Sequence, residues 1–521
     1  MSKKWIVSVV LVVILAGCSG PEDGSKNMGH KTGDLFELLE WSINNPGHRG
    51  NAFDLVSTVK FTHTGSGETI ETKMFYNGGN EWRFRFTGDK LGNWTFSTSS
   101  TDPDLDGLTG TISINNYTPG TYGFVKHDGD KWVRQKVDGN GNIVEEAFTP
   151  QFFMGGAPHY YFNNSEKIEE DVQELLVEQG FSGFSTGIHC RWFHIDNKKC
   201  DMDEKNPDIR TFEAIEDMLS ETNKNGKMIH FFKWGDTQRT HTCDDIDGGC
   251  NGYVDKRLQR YIAARLGPLP GWTMSYGYDL DEWTNEDKIS EWHDYMHSKF
   301  GWPHMLGARP EGPNHGTDHS EWITWNEKMD YSSYEHHRPD YDVYVAALEN
   351  VPGQPVISED RFRTKSNKHP EKDYTEEMTR RGLWISTMAG GVGNVWGNLE
   401  GADCGGNLEP CLPYEDKDKM KTYFDFWENR FSADLERCNE LTDGYCLKTS
   451  DNKKYIFYKE KTSSIQIDLS GMSESQKAVA VDANESYTEI DKEALSPGKY
   501  TIDLGTNSDW AIAVGDLDSK G

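Results

Sequence analysis

Carboxylates that could carry out acid–base chemistry stand close together in the segment SYGYDLDEW, which contains Asp279, Asp281 and Glu282. A further carboxylate, Glu359, ends the apolar run in PVISEDRF. Two carboxyl groups that share a cleft, one protonated and one ionised, are the groups that hydrolyse glycosidic bonds. The two segments therefore predict such a pair, provided that the fold brings them together.

The region that must position these acids alternates short apolar runs with amphipathic stretches such as KIEEDVQELLVEQG and VDKRLQRYIAARLG. Eight strands are predicted, at 151–157, 181–189, 227–235, 272–280, 304–309, 329–334, 355–359 and 391–397. Eight β/α units over roughly 280 residues predict a (β/α)8 TIM barrel. An open doubly wound sheet is the alternative, but MGGAPHYY is a poor match to the GxGxxG loop that would follow its first strand.

The sequence on both sides of the barrel alternates apolar and polar residues with a period of two. LVSTVKFTH and EWRFRFTG before it, and KYIFYKE and KAVAVDA after it, predict antiparallel β-sandwiches. The predicted multidomain division is 1–18 signal peptide, 19–33 tether, 34–147 N-terminal β-sandwich with a connector, 148–437 barrel and 438–521 small C-terminal β-sandwich.

The first residues predict an export signal. Lys3 and Lys4 precede an apolar stretch from Trp5 to Ala16 that is too short to span a bilayer, and LAGC follows. This pattern resembles the lipobox of bacterial lipoproteins. The resemblance implies a lipid on Cys18 and a location in the cell envelope, at the outer membrane, or secretion.

Composition limits the classes of partner that the protein is expected to bind. The formal net charge of -31 argues against binding to nucleic acid, which requires basic surface, and the membrane is expected to be contacted only through the lipid anchor. Export favours four disulfides among the other cysteines, and nearest-neighbour pairing is expected. The close pairs are Cys190/Cys200, Cys243/Cys250, Cys404/Cys411 and Cys438/Cys446.

Residues at the carboxyl ends of the strands should line the active site of a TIM barrel. The residues expected to bind substrate there are Asp279, Asp281, His159, His189, Arg191, Trp234, Arg309, Tyr331, Tyr334, His336, Arg361 and Trp396. Aromatic rings in this set could stack on sugars. Its cations, together with Lys233, Arg239, His337, Arg338 and Arg363, predict an anionic glycan, sulfated or uronic, unless they balance neighbouring acids. No metal or cofactor is expected.

The central region resembles the clan A retaining TIM-barrel glycosidases, whose acid/base follows the fourth strand and whose nucleophile ends the seventh. The resemblance implies that Glu282 is the acid/base and Glu359 the nucleophile. Asp281 stands where the clan has Asn, and Asp279 is the alternative acid/base. Trp396 matches the strand-eight Trp that forms the floor of the sugar subsite in that clan.

The segment FYNGGNEWRFRFTGDKLGNWTFSTSSTDPDLDGLTG resembles the sandwich module that often precedes such barrels in bacterial polysaccharide-degrading lipoproteins. The expected function is therefore a retaining glycoside hydrolase, endo-acting on a polysaccharide such as the sulfated algal galactans carrageenan or agar. The alternatives are a non-catalytic surface glycan-binding lipoprotein, a hydrolase of a neutral or pectic plant-type glycan, and an inverting hydrolase or lyase.

Overall fold

The computed structural model describes residues 26–197, 200, 205–236, 241–309, 327–336, 340–362, 375–397 and 416–515, with only the backbone of 360–362. The predicted signal peptide and Cys18 lie outside these ranges. Within them, every helix is either too short or too polar to cross a bilayer.

The N-terminal domain contains two sheets that enclose an aromatic core. Its strands are β1 (Lys26–Asp34), β2 (Leu38–Asn44), β3 (Ser57–His63), β4 (Thr69–Lys73), β5 (Phe75–Tyr76), β6 (Glu81–Thr87), β7 (Gly92–Ser100) and β8 (Leu108–Asn116). Five strands pair in the order β1-β8-β7-β3-β4 and three in the order β2-β6-β5. Trp41, Phe61, Phe84 and Phe96 fill the space between the sheets, as the alternating pattern predicts.

The predicted tether differs from the structure, because β1 occupies most of its second half. This strand pairs in parallel with β8 at the sheet edge. Gly33 is the one buried residue of β1, and five of the nine residues of this strand are exposed. The strand is therefore held by backbone pairing, and it lacks the apolar alternation that would reveal it in the sequence.

A three-stranded antiparallel sheet connects the sandwich to the barrel and closes the bottom of the barrel. Its strands are β9 (Tyr122–Asp128), β10 (Lys131–Val137) and β11 (Ile143–Phe148). Val125 and Trp132 pack against the lowest inward-facing side chains of the barrel. The indole Nε1 of Trp132 donates a hydrogen bond to the carbonyl of Val356 at 3.1 Å.

Eight parallel strands close into the predicted barrel, which confirms the TIM-barrel fold. They are β12 (Gln151–Met154), β13 (Gly183–Gly187), β14 (Met228–Phe232), β15 (Trp272–Ser275), β16 (Met305–Ala308), β17 (Tyr331–Tyr334), β18 (Val356–Phe362) and β19 (Gly393–Trp396). Most are shorter than predicted, because the chain leaves the sheet as it enters the loops at the carboxyl end.

Helices surround the barrel. They are α1 (Pro158–Tyr161), α2 (Ser165–Asp171), α3 (Ile209–Lys224), α4 (Tyr253–Leu266), α5 (Glu286–His297), α6 (Tyr341–Asn350), α7 (Glu376–Met388) and α8 (Lys417–Trp427). Of these, α2 and α4 overlap the amphipathic stretches KIEEDVQELLVEQG and VDKRLQRYIAARLG. A π-helical turn, Val172–Val177, continues α2. Side chains at the N-cap positions of α3, α5, α6 and α7 accept backbone N–H bonds, which explains where these helices begin.

The C-terminal domain is a single antiparallel sheet in the order β20-β21-β22-β25-β23-β24. Its strands are β20 (Leu435–Arg437), β21 (Tyr445–Thr449), β22 (Tyr455–Asp468), β23 (Gln476–Asp482), β24 (Ile490–Leu495) and β25 (Lys499–Val514). Alternate residues face two different cores. Tyr455 and Phe457 face a core within the domain, whereas Ile456 and Tyr458 join the core of the barrel helices.

Three of the four expected disulfides are present: Cys190–Cys200, Cys243–Cys250 and Cys438–Cys446. The first two fix the loops that follow β13 and β14 at the carboxyl end of the barrel. The pair Cys404/Cys411 lies outside the described residues.

Candidate active site

Glu359 on β18 points into the barrel. Its side chain is 0% exposed, and its Oε2 accepts a hydrogen bond of 3.1 Å from the hydroxyl of Ser275, the last residue of β15. Pairing between β18 and β19 shifts between Ser358 and Arg361, which places an irregularity at the residue that carries the carboxylate. Such irregularities reorient side chains beside active sites.

His230 on β14 lies against the other oxygen of this carboxylate. Its Nε2 is 3.2 Å from Glu359 Oε1, at an angle that does not make a hydrogen bond, and neither atom has another partner in the described part of the chain. Its Nδ1 is 2.9 Å from the hydroxyl of Thr273 on β15. The imidazole is therefore fixed on one side and faces the carboxylate on the other.

A second group of charges lies where β15, β16 and β17 end. Arg309 is 2% exposed, and its Nη2 donates to Asp279 Oδ1 at 2.6 Å. Its Nη1 is 3.0 Å from Glu335 Oε2. One buried guanidinium thus serves two carboxyl groups from different strands, with a third acid, Asp236, close enough to act on Asp279.

This arrangement favours a protonated Asp279. Burial, opposed by Arg309 and reinforced by Glu335, raises the pKa of the Asp279 carboxyl above its ordinary value. The backbone of Asp279 is left-handed, with φ 45°, a conformation that costs energy and that clusters at functional sites.

Glu282 occupies a different environment from Asp279. It lies in a 3-10 turn, Leu280–Glu282, just beyond Asp279. Both Asp281 and Glu282 have exposed side chains. The two candidates for the acid/base role therefore differ most in burial: Asp279 is inside the charged cluster, and Glu282 is on the rim.

Several predicted substrate-binding residues lie near the mouth of the barrel. His159 is partly buried on α1 and packs against Tyr160. His189 is partly buried after β13 and also has a left-handed backbone, with φ 57°. His336, after β17, is buried.

Arg191 is the most unusual cation of this group. Its side chain is 7% exposed, and its Nε has no hydrogen-bond partner within the described residues. Burial lowers the pKa of its guanidinium from the ordinary value, and Tyr160 and Asp196 oppose this only through longer-range attraction. A buried cation that binds no acid among the described residues is a suitable site for an anionic group.

The aromatic expectations need correction. Trp234, Tyr334 and Trp396 are buried in the layer between strands and helices. Tyr334 and Trp396 lie there because strand side chains alternate and theirs point away from the barrel interior, whereas Trp234 lies beyond the end of β14. Trp396 Nε1 donates to Gln151 Oε1 at 2.7 Å. Tyr331 does point inward, but it lies at the first position of β17 beside Trp132, near the bottom. None of these four rings can form an open stacking surface where it stands.

The expected basic rim is also smaller than predicted. Lys233 is fully buried and donates to Asp255 at 2.6 Å. Arg309 is already paired with acids. The side chain of Arg361 lies outside the described residues, as do Arg239, His337, Arg338 and Arg363.

The sequence reasoning missed His230 and Ser275 because they lie within strands and not after them. The signal was available in the strand period. Residues two apart in a strand share a face of the sheet. The alternation could therefore have shown which strand residues, Ser275 among them, point into the barrel with Glu359.

Comparisons with known proteins agree with this architecture. Residues 34–101 match a family described as a domain of unknown function, DUF5060. No protein with a curated function matches the sequence. A structure from Bacteroides vulgatus ATCC 8482, provisionally assigned as a glycoside hydrolase, has a TM-score of 0.68 at 15% identity over 93% of this chain and 99% of that one.

A glycoside hydrolase family 5 structure from the same organism has a TM-score of 0.55 at 12% identity, over 77% of this chain and 94% of that one. At these identities the likeness concerns the fold. The chain therefore shares its fold with these structures over most of its length.

Proposed function

We propose that this protein is a glycoside hydrolase that cleaves a polysaccharide or oligosaccharide with retention of anomeric configuration. The observation that carries the proposal is the inward carboxylate of Glu359 on the seventh barrel strand, held by Ser275 of the fourth. A buried carboxylate fixed at one position is suited to attack an anomeric carbon, since its geometry is set before the substrate arrives.

In the first step, Glu359 attacks the anomeric carbon while a carboxylic acid protonates the leaving glycosidic oxygen. In the second step, the same acid, now ionised, takes a proton from water, which displaces Glu359 from the sugar. This cycle requires an acid that stays protonated near neutral pH and that lies on the other side of the scissile bond.

Asp279 is the better supported candidate for this acid. Its pKa is raised by burial and by Glu335, and Arg309 fixes its carboxyl group. Glu282, which the family resemblance favours, is exposed on the following turn, outside the buried cluster that holds Asp279. Both acids follow β15, so either one is compatible with the same double displacement.

The buried cation Arg191 supports an anionic substrate. A sulfate or uronate group would supply the acid that the described surroundings of its Nε lack. A sulfated algal galactan, attacked within the chain, is the substrate that we propose on this basis. A neutral or pectic glycan is the alternative.

The test uses a panel of neutral and sulfated polysaccharides with the wild type and the variants Glu359→Gln, Asp279→Asn and Glu282→Gln. We expect Glu359→Gln to bind glycan without turnover. Proton NMR of the first-formed product should show the anomer of the substrate. Azide should rescue the acid/base variant by forming a glycosyl azide, because azide attacks the glycosyl-enzyme without base assistance.

Each outcome has a distinct meaning. The inverted anomer would exclude the retaining mechanism. Rescue of Glu282→Gln, with Asp279→Asn unaffected, would move the acid/base role to Glu282. Binding without turnover by the wild type across the panel would indicate a glycan-binding protein.

A further inference from the structure

Two histidines and an aspartate converge at the bottom of the barrel, far along the fold from the charged cluster at its mouth. His293 and His297 lie one turn apart on α5, and Asp330 directly precedes β17. One nitrogen from each imidazole and one carboxylate oxygen all lie within 4.8 Å of one another.

The distances in this triad are close to those of a metal site. His297 Nε2 is 2.8 Å and His293 Nε2 is 3.5 Å from Asp330 Oδ2. Ligand atoms about 2.0–2.2 Å from a tetrahedral Zn²⁺ stand roughly 3.3–3.5 Å from each other. Small changes in side-chain torsion would therefore admit the ion without movement of the backbone.

The surrounding groups orient the ligands as metal sites require. Asp330 Oδ2 accepts the backbone N–H of Leu306 at 2.8 Å. The other imidazole nitrogen of His293 is 3.2 Å from Asp294 Oδ1, and metal-binding histidines are commonly held in this way by a second carboxylate. The Nε2 of His293 is buried and has no hydrogen-bond partner in the described ranges, so a ligand atom points at the cluster unsatisfied.

We propose that His293, His297 and Asp330 bind a divalent transition metal, Zn²⁺ by the chemistry of its ligands, with water at the fourth position. Imidazole and carboxylate are ligands that Zn²⁺ accepts, and two histidines at i and i+4 present their rings on one helix face. The ion would connect α5 to the entry of β17. Because the amino-terminal face of a TIM barrel serves stability, the site is structural and independent of glycoside hydrolysis.

The test uses the full chain, freed of metal by a chelator and kept oxidised so that the disulfides remain intact. Titration with Zn²⁺, followed by calorimetry and elemental analysis, should show uptake of about one ion per chain and a rise in Tm. Co²⁺ in the same position should give the visible absorption of a tetrahedral site.

His297→Ala should weaken Zn²⁺ binding by more than about 10-fold. His293→Gln should have the same effect and replaces the first variant if that one folds poorly. His127→Ala, which removes an exposed histidine on the connector, should bind as the wild type does. Absence of uptake by the wild type, or equal uptake by the folded ligand variants, would overturn the proposal and leave the triad as a charge-assisted hydrogen-bond network. Turnover of glycan has no part in either result.

Discussion

The hydroxyl of Ser275 donates a 3.1 Å hydrogen bond to Glu359 across the inside of the barrel. The two residues lie on the fourth and seventh strands, which are not neighbours in the sheet. The contact therefore depends on the closure of the whole barrel, and it gives Glu359 a position that neither strand alone could impose.

We expect Ser275→Ala to reduce kcat with a much smaller effect on KM, because the lost contact orients the carboxylate and does not touch the sugar. A hydrogen bond to a charged group contributes about 1.5–3 kcal/mol, which corresponds to roughly a ten- to a hundred-fold decrease. Steady-state kinetics would measure it, with Ser290→Ala, a buried serine of α5, as the control. An unchanged kcat would show that Glu359 is held without Ser275.

We expect two substitutions in the charged cluster to shift the pH profile of activity in opposite directions. If Asp279 is the acid, activity falls on the basic side as its carboxyl ionises. Glu335→Gln removes a neighbouring negative charge that raises the pKa of Asp279, so the basic limb should move to lower pH. Arg309→Gln removes the cation that lowers it, so this limb should move to higher pH.

The measurement is kcat/KM against pH for the wild type and both variants, with circular dichroism to verify folding. If both variants shift the profile in the same direction, or neither shifts it, the loss of activity at high pH does not report the ionisation of Asp279. That result would favour Glu282 as the titrating group.

Arg191 should determine the preference for anionic glycan. We expect Arg191→Gln to raise KM for a sulfated substrate by about ten-fold or more, since a charge-assisted contact is lost. KM for the desulfated form of the same glycan should change little. Equal effects on the two substrates would indicate that Arg191 supports the loop and does not bind the anion.

Glu216 should stabilise the contact between the N-terminal sandwich and the barrel. Its carboxylate on α3 accepts from Arg85 of the sandwich at 2.7 Å and also pairs with Arg265 of α4. Although burial opposes it, these two cations lower the pKa of Glu216. Glu216→Gln removes the carboxylate that Arg265 pairs with and leaves Arg85 with Glu40, at a cost of about 3–5 kcal/mol.

Thermal unfolding would measure this loss. The stabilisation should be complete above the pKa of an unfolded glutamate and should decrease as the pH falls through the lower folded value. Glu221→Gln is the matched control on the same helix, because Glu221 pairs with the exposed Lys224 and should cost at most about 1 kcal/mol. Similar destabilisation by both variants would contradict the role of Glu216.

The barrel could be predicted because most of its strands are short apolar runs followed by a segment with helical periodicity, and closure follows from the count of eight strands. The edge strand β1 could not, since its pairing is made by the backbone and its side chains are mostly polar and exposed. The sequence predicts where a residue lies along a strand, but not which face of the sheet its side chain occupies. Trp396 was correctly placed at the end of its strand, but the direction of its side chain depends on the strand register, and it faces the helices.

The candidate site likewise contains a residue that the sequence predicts and contacts that it does not. Glu359 follows from the sequence because a carboxylate at the end of an otherwise apolar strand is conspicuous. The pairing of Asp279 with Glu335 through Arg309 does not follow from the sequence, because it depends on how three loops turn in space. One of these turns has a left-handed backbone at Asp279, which the residue types of the segment do not predict.

The C-terminal sheet has one face in its own core and one in the core of the barrel helices. Tyr458 stacks on Trp384 of α7 with ring centroids 5.2 Å apart, and beside it Arg381 makes two hydrogen bonds to Glu460, of 2.6 and 2.8 Å. Removing the sheet would expose the outer surface of α7 to water. The folding unit that contains the barrel therefore extends to the C-terminal sheet. An excised barrel would be prone to aggregation, whereas the two together should melt in a single cooperative transition.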